Sequence, residues 1–248
     1  MSLLENSQKK ATAVNAREMI IFSYPKVGKT ELVTKLPGKY LILDFEGGTD
    51  YFNCNAISLN ENSAEKNLEK FNQLRDEFTE TNPQYDFIVF DTLTSLYDNI
   101  VNSIAINMYN KEEKKAKTLD FDLGTLAYGV GYTYKRQAMQ KVIQFFKGYC
   151  KCLIMMGHVA DKAMGDTAAQ LNIKDLAIEG KLKDILALKT DAMGLLFRAE
   201  KNINKLSFSP ATGLIGGTRI PHLSNKEIII SKKLDDGTLE TYWKEVFI

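Results

Sequence analysis

The sequence predicts an α/β protein: a mostly parallel sheet flanked by helices, with antiparallel strands at its C-terminal end. Three observations carry that expectation. Short apolar runs alternate with helical patterns, the rhythm of strands joined through crossover helices. The first apolar run opens directly into a Gly-Lys-Thr loop with a helical pattern behind it. The last part of the chain reads as closely spaced strands, with Asp235-Asp236-Gly237 as a hairpin turn.

Residues 19–22 form the first expected strand and residues 40–43 the second, separated by the loop and a short helix that stops near Pro37 and Gly38. Asn62 and Glu65 have the spacing of a capping box and open a helix. Its Ala64, Leu68, Phe71, Leu74 and Phe78 share one stripe, which reads as plain core. Residues 87–90 are a third buried strand, and a helix over about 132–146 leads to a fourth at 152–156. Two stretches break the rhythm and read as loop-rich: 110–131, with the charge run Lys111-Glu112-Glu113-Lys114-Lys115-Ala116-Lys117, and 157–189. Beyond them, 192–198, 206–208 and 227–231 read as strands. With no internal repeat and no low-complexity linker, residues 17–248 read as one domain behind a polar arm at 1–16.

At 248 residues the chain can bury a substantial core. Its composition is 44% hydrophobic and 25% charged, as in ordinary globular proteins, and no apolar run is long enough to cross a bilayer, so no membrane partner is expected. The opening MSLLENSQKK lacks the apolar stretch of a secretory signal. A net charge of +1 gives no global field toward nucleic acid, so any such contact must come from local patches. The three cysteines, Cys54, Cys150 and Cys152, read as reduced thiols of a cytoplasmic protein rather than as a disulfide framework or, with two scattered histidines, a zinc site.

Ser23-Tyr24-Pro25-Lys26-Val27-Gly28-Lys29-Thr30 matches the phosphate-binding loop pattern at every position except the first glycine, which is Ser23 here. In that pattern Gly28 lets the backbone approach a phosphate, Lys29 reaches the terminal phosphates and Thr30 offers its hydroxyl to magnesium. The helix that follows aims free N–H groups at the anion. The nucleotide-contacting set is therefore Ser23, Tyr24, Pro25, Lys26, Val27, Gly28, Lys29, Thr30 and Glu31, with ATP and Mg2+ as the expected ligands. The third strand delivers Asp91 at its C-terminal end, where open α/β sheets bind ligands. Alone it would be a turn signal; behind a phosphate loop it reads as a magnesium ligand acting mostly through water. Glu46, two residues past Asp44, is suited to orient or deprotonate a water, although a loop acid there also caps N–H groups. His158 follows the fourth strand at the same edge, where it would sense a γ-phosphate and pass that state to the segment beyond it.

Taken in order, these motifs resemble the RecA-like ATPases, and most closely the small phage-type members associated with single-strand annealing and recombination, over roughly residues 19–231. The resemblance implies a RecA-like P-loop core, Glu46 as the catalytic carboxylate with Lys29 and His158 beside it, and a DNA-contacting loop at 160–189. It also implies an adenine contact at Asp50, with Tyr51 or Phe52 stacking on the base. Gly216-Gly217-Thr218-Arg219-Ile220-Pro221 resembles a segment of the phage-type group, and Arg219, Lys232 or Lys233 would reach a neighbouring subunit's phosphate. The partners so implied are single-stranded DNA, other copies of the chain in a ring or filament, and a single-strand-binding protein. The implied location is the cytoplasm, the host's for a phage-encoded chain. Two departures stand against this: Ser23 predicts a weaker turn, and the large extra domains of full recombinases are missing, which argues against strand exchange. The expected DNA loop has only a modest basic bias, from Lys162, Lys174, Lys181, Lys183 and Lys189 against Asp161 and Asp166. Two other functions fit the same motifs: a nucleotide-dependent scaffold or switch with weak hydrolysis, and a helicase-type motor.

Overall fold

The computed structural model describes residues 13–164, 171–178, 180–209 and 216–248. Most of the polar arm expected at 1–16 lies outside them, as do parts of the expected DNA loop.

Strand β1 (Glu18–Ser23) is buried along its whole length and runs into the phosphate loop and the five-residue helix α1 (Lys29–Val33). Strands β2 (Tyr40–Asp44) and β3 (Ala56–Ser58) precede helix α2 (Ala64–Thr81). Leu68, Phe71, Leu74 and Phe78 of the expected stripe are buried, whereas Ala64 is only half-buried. The cap falls one residue later than the Asn62 reading: Ser63 takes the extended cap conformation and its hydroxyl accepts from the Lys66 N–H. Strand β4 (Tyr85–Asp91) leads into the short helix α3 (Leu93–Ser95), a π-helical turn at Leu96–Val101 and helix α4 (Asn102–Glu113). Helix α5 (Val130–Lys147) then feeds strand β5 (Cys150–Met164).

The two stretches read as loop-rich are corrected here. The first is helical as far as Glu113 and carries two single-turn 3-10 helices, Leu123–Thr125 and Ala127–Gly129. The second continues β5, which leaves the sheet and pairs antiparallel with β6 (Leu171–Leu176) before helix α6 (Leu182–Lys189). The polar residues of 157–189 hid this strand because they interrupt the apolar run of β5 and lack the alternation that marks a half-buried strand.

Strands β7 (Ala192–Glu200), β8 (Ile203–Ser207), β9 (Gly217–Thr218), β10 (Glu227–Lys233) and β11 (Leu239–Thr241) complete the sheet. The order is β11-β10-β8-β7-β1-β5-β4-β2-β3, with β6 on β5 and β9 on β7. Strands β1 to β5 and β7 pair in parallel; β8, β10 and β11 extend the sheet in antiparallel fashion, closed by the expected turn before β11. Alternate residues of the parallel strands serve two cores. Ile20, Phe22, Ile88, Phe90, Leu153 and Met155 pack under α2, α4 and α5. Met19, Ile21, Val89, Ile154 and Met156 pack against α1 and the C-terminal segment around Trp243.

Candidate nucleotide site

Strand register assembles the site. Ser23 pairs with His158 across β1 and β5, Asp91 with Met156 across β4 and β5, and Asp44 with Asp91 across β2 and β4. The polar ends of four parallel strands therefore meet at one edge, the C-terminal edge at which such sheets hold ligands.

The phosphate loop turns through left-handed conformations at Lys26 (φ 63) and Gly28 (φ 102). Successive N–H groups in such a turn form an anion-binding concavity, and the first turn of α1 adds donors that have no partner inside the helix. Ser23 lies in extended β1 and has no left-handed backbone, so the missing glycine strains nothing. Its buried hydroxyl donates to the Tyr24 carbonyl at 2.8 Å and accepts from Lys29 Nζ at 3.3 Å. The weaker turn expected from Ser23 is thus absent. Lys29 is buried, with Nζ 3.3 Å from His158 Nδ1. Burial lowers its pKa, against the charges of Asp91 and Glu46.

Thr30 Oγ1 donates to Asp91 Oδ2 at 2.7 Å. Burial pushes the Asp91 carboxyl up to about 6, the charges of Asp44 and Glu46 acting in the same direction, and the Thr30 bond and Lys29 opposing it. A buried carboxylate that resists ionisation beside a hydroxyl suits a divalent cation held by few protein ligands and by phosphate oxygens, as magnesium usually is. Thr30 and Asp91 would hold that ion, whose charge would offset that of the phosphate oxygens.

Asp44 builds the loop that presents Glu46. Its carboxylate accepts from the N–H groups of Glu46, Gly47, Gly48 and Thr49 and from the Thr49 hydroxyl, over 2.6–3.3 Å. The capping role considered for Glu46 therefore belongs to Asp44. Glu46 instead accepts from Thr92 Oγ1 at 2.5 Å and Ser95 Oγ at 2.8 Å, and lies 3.1 Å from His158 Nε2. The His158 bond, with those of Thr92 and Ser95, holds the Glu46 carboxyl at about 2 despite its partial burial. His158 thus spans Glu46 and Lys29 with its two ring nitrogens.

A cavity of about 420 Å3 is lined by Pro25, Lys26, Gly28, Lys29, Thr30, Glu31, Glu46, Gly48, Tyr51, Phe52, Asp91 and His158. Four of the expected contact residues lie off it. Ser23 sits beneath Lys29, and Val27 offers its carbonyl to Asn204 of β8 at 3.1 Å. Tyr24 turns away, its hydroxyl donating to Asp161 of β5 at 2.5 Å and its ring under Lys174 of β6. Asp50 is exposed and does not line the cavity; its neighbours Tyr51 and Phe52 do. Of the basic residues expected to act elsewhere, Lys183 is paired with Asp175, Arg219 donates to the Leu188 carbonyl of its own chain, and Lys233 lies 3.6 Å from Glu31. The side chain of Lys162 lies outside the described residues, as does Asp166. Lys181, Lys189 and Lys232 are exposed.

Sequence reasoning missed Thr92, Ser95, Asn204 and Trp243. The hydroxyls of Asp91-Thr92-Leu93-Thr94-Ser95 were visible as a polar strand end; the other two had no local signal. Trp243 is buried and its Nε1 donates to the Leu32 carbonyl of α1 at 3.3 Å.

Among the described residues no helix is long and apolar enough to cross a membrane. No curated protein matches this chain. A family model described as AAA domain matches residues 15–220, from before β1 to just past β9, and the cradle, Asp91 and Glu46 all fall inside it. The chain therefore belongs to this AAA domain family, a family of P-loop ATPases that bind and hydrolyse nucleotide.

Proposed function

We propose that this chain is a magnesium-dependent ATPase of the phage recombination and annealing type, which grips single-stranded DNA as a ring or filament of copies and tunes that grip by its nucleotide state. One observation carries the reading: β5 presents His158 to Lys29 and Glu46 and, three residues later, Asp161 to Tyr24 of the phosphate loop, before running out as the β5–β6 hairpin. A phosphate reaching Lys29 competes with His158 for the ammonium group, so the phosphate site and the hairpin share one mechanical element. Glu46, ionised through neutral pH, is the group able to take a proton from an attacking water once His158 releases it. Lys174 and Lys181 lie beyond that element and would meet DNA phosphates. A single-strand-binding protein and a cytoplasmic location fit this role.

ATP turnover measured with and without single-stranded DNA, across protein concentrations, tests the proposal. Stimulation with a concentration threshold is expected, and DNA affinity should fall steeply with salt; turnover indifferent to DNA would sink it. A second reading is favoured by the triple hold on Glu46: a nucleotide-dependent scaffold that hydrolyses slowly. Glu46→Gln separates the two. It should keep ATP affinity and lose roughly 100-fold or more in turnover, and unchanged turnover would remove Glu46 as the base.

A further inference from the structure

Apart from the nucleotide cavity, a second cavity of about 400 Å3 opens between the start of α5 and the start of α6. Its walls include Tyr97, Tyr128, Tyr132, Arg136, Lys181 and Leu182. Tyr128 is fully exposed, on a left-handed backbone (φ 58) followed by left-handed Gly129 (φ 69). A residue with a Cβ rarely adopts this conformation. The Tyr128 ring stands entirely in solvent, with Tyr132 half-exposed four residues on. Among the described residues the two cations at the cavity have no carboxylate partner and none lines its walls; Arg136 meets the Thr133 hydroxyl at 3.5 Å. Elsewhere the lysines nearby are paired, Lys135 with Asp122 and Lys183 with Asp175.

Exposed aromatic faces beside unpaired cations are the composition that holds single-stranded nucleic acid, with bases on the rings and phosphates on the charges. Protein interfaces share the tyrosines and the arginine but are depleted in lysine, and here Lys181 is part of the wall. We infer that this cavity takes a nucleobase of bound single-stranded DNA against Tyr128 and Tyr132, with the flanking phosphates on Arg136 and Lys181; this rests on the single-strand reading above. The cavity lies beside the segment that follows β4 out of the nucleotide site. Tyr97 sits in its wall two residues past Ser95, which with Thr92 holds Glu46. Thr94 between them donates to the Ala177 carbonyl on the segment leading to Lys181, at 3.2 Å.

The test is fluorescence anisotropy of the full chain, with ATP and magnesium, on a labelled oligo-dT and on an abasic strand of the same length. The native chain should bind oligo-dT the more tightly. Tyr128→Ala should lose roughly 10-fold on oligo-dT and little on the abasic strand, while Tyr128→Phe keeps the native preference. Arg136→Ala should weaken both strands alike and flatten the salt slope. DNA-free ATP turnover of Tyr128→Ala should equal that of the native chain, which shows the fold intact. Oligo-dT carrying 5-iodouracil should photocrosslink to Tyr128 or Tyr132. Native affinity in Tyr128→Ala with crosslinks elsewhere overturns the cavity while leaving the single-strand reading standing. A native chain that binds neither strand overturns that reading, and the cavity with it. A Tyr128→Ala change in self-association alone, with DNA binding intact, assigns the cavity to a second copy and overturns the inference too.

Discussion

Toward β4 and β5 the phosphate loop is held by side chains that meet one another: Lys29 with Ser23 and His158, Thr30 with Asp91, over 2.7–3.3 Å. Toward β8 and the C-terminal segment it is held by its backbone, Asn204 on the Val27 carbonyl and Trp243 on the Leu32 carbonyl. Lys233 pairs with Glu31 of α1 on that side, and both are partly exposed, so the pair contributes little. The difference separates two tasks. The first side carries groups that would act on a phosphate and are costly to keep buried; the second touches no such group and fixes the shape of the loop. Variants on the first side should change ligand binding with the fold intact, and variants on the second should change stability, or affinity through loop shape.

The largest effect is expected at Trp243. It is buried against α1 and stacks near Phe247, which itself packs on Phe87 of β4. Trp243→Ala should remove about 3–5 kcal/mol of stability, read as a lowered denaturant midpoint, with nucleotide affinity lost only as the protein unfolds. This segment lies beyond residue 220, where the family match stops, so a truncation there tests the same point. A variant that kept native stability would break the comparison at its strongest place. Lys29→Ala should weaken ATP binding by about 100-fold with little loss of stability, since it also removes a buried cation.

Asp91 gives a pH signature. Its carboxyl stands at about 6 in the fold against an ordinary 3.8. The folded chain therefore binds more protons than the unfolded chain between those values, and this group's contribution to stability falls as pH rises from 3.8 through 6. Glu46 has the opposite sign: held at about 2 against 4.5, it contributes stability above its ordinary value that is lost as pH falls toward 2. Asp91→Asn keeps an acceptor for Thr30 and removes the charge. Without nucleotide and magnesium it should be more stable than the native chain at pH 7 by on the order of 3 kcal/mol, with the gap closing near pH 4. Magnesium-dependent turnover should be lost in the same variant. Thermal melts across pH check the first half, and a gap independent of pH would mean that Asp91 is ionised at little cost.

What the sequence made legible follows the same division. The loop, Asp91, Glu46 and His158 are each announced by a few adjacent residues, because a strand end followed by polar residues is a local pattern. Their meeting at one edge follows from parallel register, a general rule for this class of sheet. The backbone clamp was invisible. Asn204 and Trp243 lie 177 and 211 positions from the residues they hold, and an Asn in a strand or a Trp near a terminus has no pattern that states its partner. The β5–β6 hairpin was missed for a different reason: its polar residues carry no strand alternation and imitate a loop. Asp50 shows the limit of carrying a position over by spacing, since the turn Gly48–Tyr51 points its neighbours at the cavity instead.

The smallest effect is the most discriminating. Asn204→Ala deletes one hydrogen bond to the Val27 carbonyl, worth about 1 kcal/mol. If the outer strands act only by shaping the loop, that loss should appear as a roughly 5-fold weaker ATP affinity with kcat unchanged, because Asn204 bonds the Val27 carbonyl and does not line the cavity. Asn204→Asp should be worse than the alanine variant: its carboxylate cannot donate to Val27 and places a negative charge behind an anion site. Combining Asn204→Ala with Asp91→Asn asks whether the two sides are separate. Groups acting independently add to within about 0.5 kcal/mol, and the two share no hydrogen-bond partner. A larger coupling in ATP affinity would show that the loop transmits strain from β8 to the magnesium ligands, and the division between shape and chemistry would have to be redrawn as one cooperative cradle.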